Sequence, residues 1–352
     1  MHKITLAQEI DLGNLFGKMP AGEWIVQDQT AFEIGVIAKR GDCKVSAFEP
    51  SEGLRTGKIL IMRSGAFGDL LFATPAFKAF KEANPGKKIY LSCGPLRVPM
   101  FDGTDLFDGI EQYPLPADKA LDYERIISLE SVMENERDLH ATDAFAKALG
   151  VTVTDYKPIY ALSREEAIAA IPKVVHDRPK VGIQMRASTN NRDYPPGRWM
   201  QVMAELVKRG WTVYIFGTKN QIWDFPPPQF RDERIINLAH QELSFRESAA
   251  ILAQMDAFVG VDSVWLHMCH VFDIPAIGLF GPFPWKLRTS KAPKTQALAG
   301  IGECGPCFHH VHAGSHFPSG KPCSQIRRCV VMEQIAPDRI IAKVDALKPA
   351  RV

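Results

Sequence analysis

The stretch from Phe258 to Pro282 can fold as little other than a strand, a helix and a second strand. An apolar run reaches Gly260, and a polar elbow, Asp262-Ser263, follows at once. A helical segment carries Trp265, His267 and Met268, and a second apolar run, Ala276 to Phe280, ends in Gly281-Pro282. Polar groups at the carboxyl end of a parallel strand lie where open α/β sheets bind ligands. Ser263 and His267 are four residues apart and share a helix face. The helix start offers unpaired N–H groups and a positive dipole end, which together suit an anion.

The same alternation recurs along the chain. Lys58–Arg63 reads as a strand, Ser64–Asp69 as a turn, and Leu70–Lys81 as a helix stopped by Asn84-Pro85-Gly86. Strands are expected near Lys88–Cys93, Ile110–Tyr113 and Arg125–Leu129, and a helix over Asp138–Leu149 closed by Gly150. Ser163 and Glu166 form a capping box, as do Ser244 and Glu247. A second α/β half opens at Lys180–Arg186, continues through a helix over Pro196–Arg209 and a strand Trp211–Gly217, and closes with a helix over Pro337–Leu347. Strands alternating with helices predict parallel doubly wound sheets in two domains with the ligand cleft between them. The expected boundaries are 1–57, an extension of short strands; 58–160; 161–335, with a cysteine-rich part at 304–329; and 336–352, a terminal helix.

Composition narrows the function classes. A net charge of +2, with no basic block, gives no footprint for nucleic acid. The N-terminus has no secretory apolar core, and no run of about 18 apolar residues occurs. The expectation is a soluble cytoplasmic protein, working at the inner face of the membrane if its substrate is lipid-linked. Gly65-x-x-Gly68 lacks the first glycine of the dinucleotide fingerprint, and no acidic residue ends the next strand at Ser92-Cys93. Both facts argue against a dehydrogenase.

Three ordered segments together resemble glycosyltransferase family 9, the ADP-heptose:lipopolysaccharide heptosyltransferases and their relatives. They are Ile61–Ala76, containing Arg63-Ser-Gly-Ala-Phe-Gly-Asp69; Ala187–Pro195, with Trp199 beyond; and Val261–Pro282. The resemblance spans about residues 58–345. It implies a GT-B fold, two Rossmann-like domains facing a central cleft. It also implies an inverting transfer from a nucleotide-diphosphate sugar, ADP-heptose or similar, to a lipopolysaccharide or other surface-glycan hydroxyl. No catalytic metal and no other cofactor would be required. The chain departs from the family in carrying Ser263-Val264 where Thr-Gly is usual, Arg192 where a lysine reaches the donor phosphate, and Gln221 where a glutamate holds the ribose.

Residue by residue, the resemblance makes Asp69 the general base. The plain alternative is a helix N-cap, for which Asp is favoured. Arg63, Gly65 and Gly68 would border the acceptor; for Arg63, at the strand end, the pocket is favoured over the surface, and the two glycines let backbone approach a ligand closely. Ser188, Thr189 and Arg192 would bind the donor diphosphate, since a guanidinium fork pairs with phosphate oxygens and stabilises the leaving group. Ser263, the N–H of Val264 and His267 would hold the same phosphates, and Asp262 would accept from sugar hydroxyls. Two rival readings share the fold: a nucleotide-sugar epimerase, and a non-catalytic nucleotide-binding scaffold.

Four of the seven cysteines crowd one region. Cys304-x-x-Cys307 is followed after fifteen residues by Cys323 and after five more by Cys329, with His309, His310 and His312 between. Such thiolate pairs suit a structural zinc, and reduced unliganded thiols fit the spacing equally well.

Overall fold

The computed structural model describes residues 1–11, 18–28, 30, 31, 34, 43–48, 56–218, 232–302, 304–309 and 322–349. It divides into two compact units, Met1–Ala161 and Leu162–Val352. None of the described helices is long and apolar enough to cross a membrane.

The first unit begins with strands β1 (His2–Leu6), β2 (Ile10–Asp11), β3 (Lys18–Met19), β4 (Gly22–Val26) and β5 (Cys43–Ala47). The rest of the unit follows: β6 (Lys58–Met62), α1 (Phe67–Ala83), β7 (Lys88–Cys93), β8 (Gly109–Gln112), β9 (Leu115–Pro116), β10 (Arg125–Ser128), α2 (Val132–Asn135) and α3 (Ala141–Leu149). The sheet order is β10-β6-β7-β8, all parallel. Leu60, Ile61 and Met62 are fully buried, as expected for a strand covered on both faces. Gly150 closes α3 in the left-handed region, at φ 69°.

The N-terminal segment forms a separate antiparallel sheet, β5-β1-β4-β9. Its last strand comes from residues 115 and 116, so the extension is built into the first unit. Ile4, Ile25 and Val26 join Leu60, Met62, Tyr113 and Leu115 in one apolar cluster.

The second unit contains α4 (Arg164–Ala170), β11 (Lys180–Gln184), α5 (Pro196–Lys208), β12 (Thr212–Phe216), β13 (Ile235–Asn237), α6 (Phe245–Leu252), β14 (Ala257–Val261), α7 (Val264–Val271), β15 (Ala276–Phe280), α8 (Lys286–Thr289), β16 (Thr295–Ala299), α9 (Pro322–Ile326), α10 (Val330–Glu333) and α11 (Pro337–Asp345). Both expected capping boxes, at Ser163 and Ser244, are present. The six parallel strands run in the order β13-β12-β11-β14-β15-β16, a doubly wound sheet. Trp199, Val202 and Leu206 of α5 and Ile340 and Val344 of α11 share a core with Val181, Ile183 and Val259. Strand alternation sends Phe258 to the opposite face, where it meets Phe216, which in turn meets Trp265. Gly260 allows this packing, because a Cβ there would lie 2.8 Å from the Phe258 ring.

Strand order reverses between β6 and β10 in the first unit and between β11 and β14 in the second. A crevice opens at the carboxyl ends of the strands at such a point. The candidate residues cluster at both.

Candidate functional site

In the first unit, the chain leaves β6 into Arg63 and enters α1 at Phe67. The helix starts earlier than its apolar spacing predicts, so Asp69 lies inside its first turn and Ala66 is the N-cap, a correction to the N-cap alternative for Asp69. Asp69 Oδ2 accepts from the Ala66 N–H at 3.3 Å and from Arg63 NH2 at 2.8 Å. Its Oδ1 has no hydrogen-bond partner among the described residues. The carboxylate is therefore anchored by one oxygen and free at the other.

Arg63 is not a surface arginine: its side chain is 5% exposed. Its NH1 donates to the Leu129 carbonyl at 2.7 Å, its guanidinium lies 5.6 Å from the Phe145 ring centre, and Glu134 stands 4.0 Å from NH2. Gly65 covers the ion pair, and a Cβ at that position would come within 2.6 Å of both Arg63 Nε and Asp69 Oδ2. Gly68 lies in the first turn of α1. The Arg97 guanidinium, 5.7 Å from the Phe67 ring, is made less basic by burial, against which the charge of Asp69 acts.

The residue that follows β4 completes this turn. Gln27 is fully buried; its Nε2 donates to the Met62 carbonyl at 3.0 Å and to Ser128 Oγ at 2.9 Å. Its Oε1 accepts from the Ser64 N–H at 3.1 Å. One side-chain amide thus ties together the ends of β6 and β10 beside Arg63.

In the second unit, the loop after β11 is folded by Asp193, whose Oδ2 accepts from Arg186 Nε at 2.8 Å and whose Oδ1 accepts from the Ala187 N–H at 3.0 Å. Burial raises the pKa of Asp193, and the Arg186 charge opposes the shift. The loop presents Arg192, whose Nε donates to Thr189 Oγ1 at 2.7 Å, NH2 to Ser188 Oγ at 2.7 Å and NH1 to the Asp262 carbonyl at 2.9 Å. Thr189 is fully buried, whereas Ser188 is exposed. The two hydroxyls hold Arg192 in place.

Asp262 and Ser263 follow β14 directly, and Ser263 is the N-cap of α7 with Val264 as its first helical residue. The Ser263 hydroxyl donates to Gln184 Oε1 at the end of β11 and not to its own helix. This bond spans the two strands that flank the reversal. Asp262 Oδ1 lies 3.0 Å from His267 Nε2, and both side chains are 6% exposed. Its Oδ2 faces Arg192 NH1 at 3.8 Å and Arg288 Nε at 3.9 Å. Burial alone would raise the pKa of Asp262. The His267 hydrogen bond and the charges of Arg192 and Arg288 reverse this and hold it well below the usual carboxylate range. His267 is thus hydrogen-bonded to Asp262, and Asp262 gathers Arg192 and Arg288 around itself.

The seven donor-site residues expected from sequence all meet at this reversal. Gln221 lies outside the described residues. Sequence reasoning missed Gln184, Phe283 and Arg288. The available signal for Arg288 was its place just after Gly281-Pro282, at the carboxyl end of β15.

The cysteine-rich segment braces the same region. The Cys307 and Phe308 N–H groups donate to the Pro282 carbonyl at 3.0 and 2.9 Å, Phe308 packs edge-on to Phe283, and the His309 carbonyl accepts from Asn191 Nδ2 at 2.7 Å. Burial pushes the Cys329 thiol up to about 11, and Cys307 and Cys304 are near enough to raise it further. Among the described residues no three His, Cys, Asp or Glu side chains meet in metal-binding geometry. His310 and His312 lie outside the described residues.

The fold is that of the GT-B glycosyltransferases. ADP-heptose LPS heptosyltransferase II of E. coli aligns at 14% identity over 82% of this chain and 98% of its own, with a TM-score of 0.63. A family 9 glycosyl transferase from Veillonella parvula DSM 2008 aligns at 14% identity, over 82% and 96%, with a TM-score of 0.62. TibC, an iron-containing dodecameric glycosyltransferase of enterotoxigenic E. coli, aligns at 14% identity, over 82% and 78%, with a TM-score of 0.57. No curated protein matches the chain in sequence. The profile of glycosyltransferase family 9 (heptosyltransferase) matches residues 132–316, more than half of the chain, and the chain belongs to that family.

Proposed function

We propose that the protein is an inverting glycosyltransferase that moves a heptose or similar sugar from a nucleoside-diphosphate donor to a hydroxyl of a lipopolysaccharide or other surface-glycan acceptor. The observation that carries this reading is Arg192, fixed by three hydrogen bonds at the strand-order reversal of the second unit, beside the start of α7. A fixed guanidinium and a helix N-terminus suit a diphosphate, and both stabilise the charge that grows as the nucleotide leaves. TibC has been solved in complex with ADP-D-β-D-heptose, and that structure aligns over 98% of this chain at 13% identity with a TM-score of 0.57. A nucleoside-diphosphate heptose is accordingly the donor class of this reading.

The free Oδ1 of Asp69 is the proton acceptor. The acceptor hydroxyl attacks the anomeric carbon and its proton passes to Asp69. The bond from that carbon to the diphosphate oxygen breaks, and the nucleoside diphosphate departs with the electron pair. Work at the cytoplasmic face of the membrane is consistent with a lipid-linked acceptor.

Calorimetric titration with ADP, UDP and GDP in metal-free buffer tests the donor site. Micromolar binding of one of them, weakened roughly 10- to 100-fold in Arg192→Ala, is expected from the loss of charge-assisted hydrogen bonds. Absence of binding to all three would overturn the nucleoside-diphosphate donor site and with it the transferase reading.

The reading includes a structural metal on Cys304, Cys307, Cys323 and Cys329, which would have to draw together thiols that do not meet in metal-binding geometry in this structure. Thiolates take zinc or iron, and the relative TibC is described as iron-containing. The ion would hold the segment that supports Phe283 and Asn191. Elemental analysis is expected to find a stoichiometric transition metal in the purified chain and to find it lost in Cys307→Ser/Cys329→Ser. A metal-free wild-type protein that binds nucleotide would refute the metal alone.

A further inference from the structure

We infer that Arg288 is a second guanidinium of the donor diphosphate site and selects diphosphates over monophosphates. The inference rests on the nucleotide-sugar reading and extends it to a residue outside the three family-like segments' expected contacts. Arg288 sits on the short helix α8, and its side chain is 12% exposed. Its guanidinium lies 5.7 Å from the Phe283 ring centre, and that of Arg192 lies 5.8 Å from the same ring. Both arginines also face one oxygen, Asp262 Oδ2, at 3.9 and 3.8 Å.

Charge at this point is unbalanced. Arg186, Arg192 and Arg288 are set against two carboxylates, Asp193 and Asp262, and the dipole of α7 adds positive potential beside them. Like charges this close and this little exposed repel each other with little screening. A diphosphate spreads its charge over two phosphoryl groups and can meet both guanidiniums at once; a monophosphate brings a single phosphoryl group to the pair.

Donor capacity separates the two arginines. Arg192 commits all three of its nitrogens to Thr189, Ser188 and the Asp262 carbonyl. Arg288 makes one hydrogen bond among the described residues, from NH1 to the Leu287 carbonyl at 3.5 Å, which is long for an N–H···O bond. Its stack against Phe283 and its attraction to Asp262 fix where the fork lies while leaving its N–H groups available. A guanidinium so arranged is ready for paired contacts to phosphate oxygens.

The test compares nucleoside diphosphate with the monophosphate of the same base by calorimetry, in the wild type, Arg288→Ala and Arg288→Gln. Glutamine is shorter but keeps part of the aliphatic stem and a planar hydrogen-bonding amide without the charge, so it guards against a variant that fails to fold. Both variants are expected to lose diphosphate affinity roughly 10- to 100-fold while monophosphate affinity changes little, so that the preference collapses. Unchanged diphosphate affinity, or equal losses for the two ligands, would overturn the role of Arg288 and leave the donor site standing. A wild type that binds neither ligand would overturn both.

Discussion

Asp69→Asn is expected to lower acceptor-dependent release of nucleoside diphosphate by roughly 10²- to 10⁴-fold, the range for loss of a general base. Nucleotide affinity should stay unchanged, because Asp69 belongs to the first unit and the donor residues to the second. Asparagine is the informative replacement. Its amide oxygen can take the place of Oδ2 and keep the bonds from Arg63 and Ala66, while its NH₂ occupies the position of Oδ1 and cannot accept a proton. A capping role alone would then survive the change nearly intact. Near wild-type turnover in Asp69→Asn would reduce Asp69 to a capping residue. Steady-state kinetics with parallel calorimetry separates these outcomes.

Asp262→Ala is expected to destabilise the second unit by about 3–5 kcal/mol, the cost of removing one partner from a buried charge cluster. The substitution leaves Arg192 and Arg288 without their shared counter-charge and His267 Nε2 without its acceptor. The pH dependence follows from the depressed pKa of this carboxylate. Its stabilisation is present in full above its unfolded-state pKa, about 3.9, and declines only as pH falls below that toward the folded value. Urea unfolding should therefore show a constant gap between wild type and variant from neutral pH down to about pH 5, shrinking under stronger acid. Equal midpoints at neutral pH would mean that the cluster adds no stability.

The doubly wound parts of the chain were legible in the sequence for a physical reason. Strands such as Lys58–Met62 and Ala257–Val261 are buried on both faces, so they read as unbroken apolar runs between turn residues. The N-terminal sheet was less legible. Cys43–Ala47 is largely exposed and shows no alternation, and Leu115–Pro116 is a two-residue strand drawn from far along the chain. The start of α1 was misplaced because Gly65-Ala66-Phe67-Gly68 has the composition of a turn, although its second half is helical. Asp262, Ser263 and His267 stood out as polar residues in apolar surroundings. Gln184 is just as polar but ends a strand, and Arg288 lies on a four-residue helix with no period to read. Gln27 could not be foreseen, since its partners Met62, Ser64 and Ser128 are joined to it only by the tertiary fold.

The position of Gln27 sets an order of events during synthesis. Strand β4 cannot gain its neighbour β9 until residue 116 has emerged, and the Gln27 amide cannot reach Ser128 until later still. The leading strands must therefore wait, exposed, while the central part of the unit is made. Loop closure of this span precedes any reward from its contacts. On the ribosome, the first unit should gain its compact form in one late step, after the β10 region emerges, rather than strand by strand from the N-terminus.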